Sequence, residues 1–110
     1  MLPDHRKAEQ RSLRYHAAIA DRIAIDPTIV VRARRRVESW LSDTSVARHY
    51  ADGWRTRLAE PIETLRAFLV DPSESARAFR QVSPFAGVLS PKERWALWAA
   101  NESDDDATAA

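Results

Sequence analysis

Three histidines, His5, His16 and His49, are the only imidazoles in the chain, and no cysteine accompanies them. A transition-metal site needs such ligands at fixed spacings, as in His-x-x-x-His or Cys-x-x-Cys pairs. None occurs. His49 and Asp52 share a helical face at i, i+3, which suits weak metal binding at best; surface or half-buried polar roles account better for the histidines. The Gly-x-Ser-x-Gly nucleophile elbow, the phosphate-binding and dinucleotide glycine patterns and the calcium loop are also missing. Nothing names an acid, a base or a nucleophile. The expectation is a protein that is not an enzyme and that needs no cofactor or metal.

Two other groups of residues carry binding chemistry. Arg32, Arg34, Arg35 and Arg36 form the densest charge run, and helical spacing puts Arg32, Arg35 and Arg36 on one face, opposite Val30, Val37 and Trp40. Such a stripe can grip phosphates through charge-assisted bonds, dock on an acidic protein, or simply face solvent. The second group lies in RQVSPFAGVLSPKERWALWAA, residues 80–100, which holds two of the four tryptophans and one of the two glycines. Phe85, Val88, Arg94, Trp95 and Trp98 are its candidate partner-binding residues, because tryptophan and arginine are enriched among interface hot spots. The competing reading of Trp95 and Trp98 is core packing. Trp40 and Trp54 sit on apolar faces and read as core.

The elements that must position these groups read as helices. Glycine is scarce, no Asn-Gly or Asp-Gly hairpin turn is present, and no segment alternates apolar and polar residues for a strand's length. Four prolines follow Asp26, Glu60, Asp71 and Ser90, a pattern that suits helix starts with proline in the first turn. The first helix is expected from Asp4 or Arg11 to Ile25, with Leu13, Ala17, Ala20 and Ile23 or Ala24 inward and Ile19 widening the stripe. The second opens at Pro27 and buries Val30, Ala33, Val37, Trp40 and Leu41. A third begins after Ser42 or Thr44 and buries Ala47, Tyr50, Ala51, Trp54 and Leu58, with Gly53 marking a close crossing or a kink. A fourth follows Pro61, with Ile62, Leu65 and Leu69 inward and Phe68 beside them. The fifth opens at Asp71-Pro72, where Asp71 and Glu74 have capping-box spacing, and buries Ala76, Phe79 and Val82. Ser83-Pro84 ends it. After an apolar connector, Ser90-Pro91-Lys92-Glu93 is a capping box that opens the last helix.

Bulk properties agree with that picture. The 110 residues are 45% hydrophobic and 30% charged, which suits one soluble globular domain. The expected fold is all-α, a single bundle of five to six short helices over residues 1–100, followed by a disordered acidic tail, 101–110. The net charge of +1 is unevenly spread: residues 1–40 carry nine bases and five acids, whereas residues 101–110 carry four acids and no base. No apolar run reaches the roughly 18 residues of a membrane span, and MLPDHRKAEQRS lacks the apolar centre of a signal peptide. A cytoplasmic protein is expected.

Three segments together resemble a family of small bacterial antitoxin-like proteins found beside toxin genes. RSLRYHAAIADRIAIDP (residues 11–27) is similar to the family's Arg-Ser-Leu…His…Ile-Ala opening. VRARRRVESWL (residues 31–41) resembles its arginine-and-tryptophan second helix. RQVSPFAGVLSPKERWALW (residues 80–98) carries the most specific likeness, SPFAGVLSP followed by Glu93-Arg94-Trp95. The resemblance implies a toxin-binding body that neutralises a cognate toxin, often a nucleotidyltransferase-like one. Some members add a DNA-binding helix-turn-helix domain; the ten residues ahead of the match leave no room for one, so control of its own operon is not expected of this chain. The alternative is a nucleic-acid-binding or transcription-associated module using the Arg32–Arg36 face.

Overall fold

The computed structural model describes residues 6–100 in full and carries the terminal helices to Pro3 and Ala109; the side chains of residues 1–5 and 101–110, including the expected acidic tail, lie outside the described residues. Among the described residues there are six helices and no strand: α1 (Pro3–Ile25), α2 (Thr28–Asp43), α3 (Arg48–Leu58), α4 (Ile62–Leu69), α5 (Glu74–Arg80) and α6 (Pro91–Ala109). The all-α bundle is as expected. None of these helices is long and apolar enough to cross a membrane.

Helix boundaries follow local chemistry. Ser90 and Glu93 form the reciprocal capping box, Glu93 N–H to Ser90 Oγ at 3.1 Å and Ser90 N–H to Glu93 Oε1 at 3.0 Å, with Pro91 at the first helical position. The α5 start is corrected. Asp71 instead accepts from the Ser73 amide at 2.8 Å, and Ser73 is the cap, accepting from the Ala76 amide at 3.2 Å. The nearer hydroxyl wins, so the helix opens at Glu74, two residues after Pro72. The third helix also starts later than expected, at Arg48, because Thr44 ends α2 in a left-handed conformation (φ 56°) with its amide bonded to the Trp40 carbonyl.

The core lies between α1 packed on α4 and α2 packed on α3, with α5 and α6 on the α1 side. Ile19, Ile23, Ile29, Val37, Leu58, Leu65 and Leu69 are sealed inside it. Trp54 is its centre, fully buried and meeting Phe68, Phe79 and Phe85 edge-on at 5.7 to 5.8 Å. Its indole N–H, which could not be buried unpaired without cost, donates to the Val82 carbonyl at 2.6 Å. Gly53 is where α3 meets α5: a Cβ there would stand 2.4 Å from the Phe79 ring. Some inward assignments fail at the edges. Ala47 and Ile62 are exposed and Leu13, Ala17, Tyr50 and Val82 are half-buried, whereas Trp40, Leu41 and Phe79 pack against the core as expected, from partly buried positions. Ile29, unassigned from periodicity, is buried.

Candidate partner-binding site

α1 and the connector after α5 meet in space. His16, on α1, is buried. Its Nδ1 lies 2.7 Å from the Ser12 carbonyl, which can only accept, so Nδ1 holds the proton and Nε2 accepts from the Ser83 hydroxyl at 2.8 Å. Ser83 Oγ in turn accepts from the Phe85 amide at 3.1 Å, and the Tyr15 hydroxyl donates to the Phe85 carbonyl at 2.6 Å. Both backbone groups of Phe85 are therefore held by this network, which draws its ring into the core beside Trp54 and His16. Burial away from water disfavours the imidazolium and lowers the His16 pKa to about 4, with the Arg80 charge acting in the same direction. The Arg22 guanidinium pairs with Glu93, clasping α1 to the start of α6.

That network sorts the residues proposed from sequence. Phe85 is 0% exposed, so it is corrected from partner anchor to core residue of this chain. Leu89 is sealed as well, and Val88 is half-buried against the core. Trp95 is the opposite: 71% of it is exposed on α6. Trp98 is half-buried, 6.5 Å from Trp95 in an edge-on pair, with the Arg11 guanidinium 5.2 Å from its ring centre. Its Nε1 is buried without a hydrogen-bond acceptor. Arg94 is half-buried beside it. The connector thus belongs to the fold, while Arg94, Trp95 and Trp98 remain grouped on α6.

A groove of about 260 Å³ opens between α1, the connector and α6. Arg11, Tyr15, His16, Ala86, Arg94 and Trp98 line it. Sequence spacing pointed to Arg94 and Trp98 but not to Tyr15 or Ala86, since residues about 70 positions apart share no periodic signal.

Arg32, Arg35 and Arg36 are exposed on α2, and Arg35 and Arg36 make no ion pair among the described residues. Arg34, next to them, is used by the fold: its Nε and Nη2 both donate to the Leu58 carbonyl at the end of α3, at 3.1 and 2.6 Å. Arg66 and Arg80 act similarly on the carbonyls of Ala20 and Asp71, at 2.7 Å each. Sequence reasoning missed these three, because an arginine that bonds a backbone carbonyl elsewhere in the chain looks like any other. His49 and Asp52 do not converge: Asp52 pairs with Arg48 at 3.3 Å, and the His49 ring lies against Tyr50 and Phe79. Comparison of the chain with protein-family models, with curated proteins and with solved structures finds no match.

Proposed function

We propose that this chain is an antitoxin-like protein of a toxin–antitoxin system, which binds a cognate toxin in the cytoplasm and blocks it. The observation that carries the reading is Trp95: a tryptophan 71% exposed on α6, paired with a half-buried second indole whose N–H lacks an acceptor. An isolated exposed apolar residue is ordinary. An exposed indole adjoining Trp98, Arg94 and an apolar groove has the composition of a hot spot, which contributes most when a partner removes it from water. The family likeness of residues 11–27 and 83–95 points the same way and suggests a nucleotidyltransferase-like toxin as partner. Neutralisation would be stoichiometric, the helical body covering the toxin's active site or restraining its moving parts.

Co-expression with the product of the neighbouring gene tests this. A complex that survives purification, together with rescue of growth from that protein's toxicity, is the expected result. Absence of both with either adjacent gene product overturns it.

A second reading rests on α2. Arg32, Arg35 and Arg36 stand exposed together, and a nucleic-acid-binding module would use them on phosphates. It predicts binding to DNA or RNA that falls steeply with salt and disappears when the three become alanine. The net charge of +1 favours the protein-binding reading.

A further inference from the structure

The outward face of α2 concentrates positive charge that the fold leaves unpaired. Arg32, Arg35 and Arg36 are exposed there, and none of the three forms an ion pair among the described residues. Spacings of i, i+3 and i+4 hold them within about 6 Å of helix rise, where like charges repel and destabilise the helix. Glu38 does not relieve them, since it pairs with Arg55 on α3 at 3.5 Å. Two carboxylates bracket the patch instead. Asp26 stands before α2, held below its usual pKa range by a bond from the Thr28 hydroxyl and, more weakly, by the Arg32 charge. Asp43 ends the helix and accepts from the Ser45 amide at 2.9 Å. Val31, one turn before Arg35, is an apolar side chain left 43% exposed beside the arginines.

We propose that this face is a docking surface for an acidic segment of a partner protein, one that sets a short cluster of carboxylates beside an apolar side chain. The carboxylates pair with Arg32, Arg35 and Arg36, and the apolar group lies on Val31. Charge complementarity selects the sign of the occupant, and the size of the patch selects its kind. A nucleic-acid backbone carries negative charge continuously along its length, so it would press phosphates towards Asp26 and Asp43, and it gains nothing from Val31. A compact carboxylate cluster avoids both acids, and guanidinium groups hold carboxylates in paired, charge-assisted bonds. The proposal assigns the α2 arginines to a protein in place of a nucleic acid, and it does not rest on the toxin-binding reading of α6.

The probe is the peptide acetyl-Glu-Leu-Glu-Glu-Leu-amide, titrated at low salt into the ¹⁵N-labelled full chain while backbone amide resonances are followed. The neutral control is the same peptide with glutamine for each glutamate. Saturable shifts confined to α2 around Val31, Arg32, Arg35 and Arg36 are expected. Apparent Kd rises about tenfold for the neutral peptide and for the double variant Arg35→Gln/Arg36→Gln, as the loss of exposed ion pairs at low salt requires. Val31→Ser, which removes only the apolar contact, weakens binding about threefold. All three positions are exposed, so the variants fold. Arg36→Gln also relieves the repulsion with Arg32, so its melting temperature holds or rises while binding falls, which an arginine kept for the fold alone would not show. Shifts scattered over the chain or centred on α6, or equal binding of the acidic and neutral peptides, overturn the proposal. Tighter binding of a short DNA duplex at the same α2 resonances and ionic strength overturns it in favour of a nucleic acid. Trp95→Ala is expected to leave peptide binding unchanged, so this surface and the α6 reading stand or fall separately.

Discussion

His16 shows how a residue can look functional in a sequence and be structural in the fold. Its imidazole is 3% exposed and bridges Ser12 to Ser83, so its neutral form is part of the packing. The folded-state pKa of about 4 lies below the usual 6.5, so between those values the unfolded chain binds a proton that the folded chain does not. Stability from this group is therefore fully present above pH 6.5 and is lost as pH falls towards about 4. The shift corresponds to about 3 kcal/mol. Urea unfolding across that window is expected to show a loss of this order in wild type and little of it in His16→Gln, which starts out less stable at neutral pH. A flat wild-type profile contradicts the network. The carboxylates of Asp71 and Glu93, held below their ordinary range by hydrogen bonds with Ser73 and Ser90, lose their contribution mainly on the acidic side of the His16 window and overlap it only at its acidic end.

At the scale of elements, much was legible where side chain and backbone act within one turn. Ser90, Pro91 and Glu93 announced α6, and the apolar spacing of Val30, Ala33 and Val37 announced the buried face of α2. The misplaced start of α5 comes from competition between neighbouring caps. Asp71 and Ser73 both offered an oxygen to the start of α5, and only the structure shows that Ser73 binds the helix while Asp71 turns the chain before it. Gly53 could be read as a close crossing or a kink, and it proves to be a crossing, with the Phe79 ring against it. Alanine at this position gains about 1 kcal/mol of helix propensity but forces a packed ring to move, an overpacking cost of about 1–3 kcal/mol. Gly53→Ala is expected to lower stability in thermal or urea unfolding, by up to about 2 kcal/mol net. Unchanged or raised stability would show that Phe79 can swing away freely.

For the whole molecule, the all-α class and the position of Trp54 in the core were readable from periodicity, whereas the division of labour in residues 83–98 was not. Phe85 and Trp95 are both large aromatics near the same end of the chain, yet one is fully buried and the other 71% exposed. What separates them is a set of hydrogen bonds to Tyr15 and, through Ser83, to His16, across about 70 residues of sequence, and no local pattern encodes such a contact. The same gap explains why the groove was invisible: its two sides come from opposite ends of the chain. The result is a scaffold in which α1 and the connector hold the fold together and leave α6 to present its indoles. Those indoles and the Arg32–Arg36 face are separate surfaces; no hydrogen bond, ion pair or ring contact joins them among the described residues. The central claim is that α6 binds another protein. Calorimetric titration of the partner protein that the proposed antitoxin role requires, with wild type and Trp95→Ala, tests it most directly, since this exposed side chain can be removed without opening the core. The account predicts that the variant keeps its helical spectrum and melting temperature and loses about 2 kcal/mol or more of binding free energy. An equally tight complex with Trp95→Ala would contradict it.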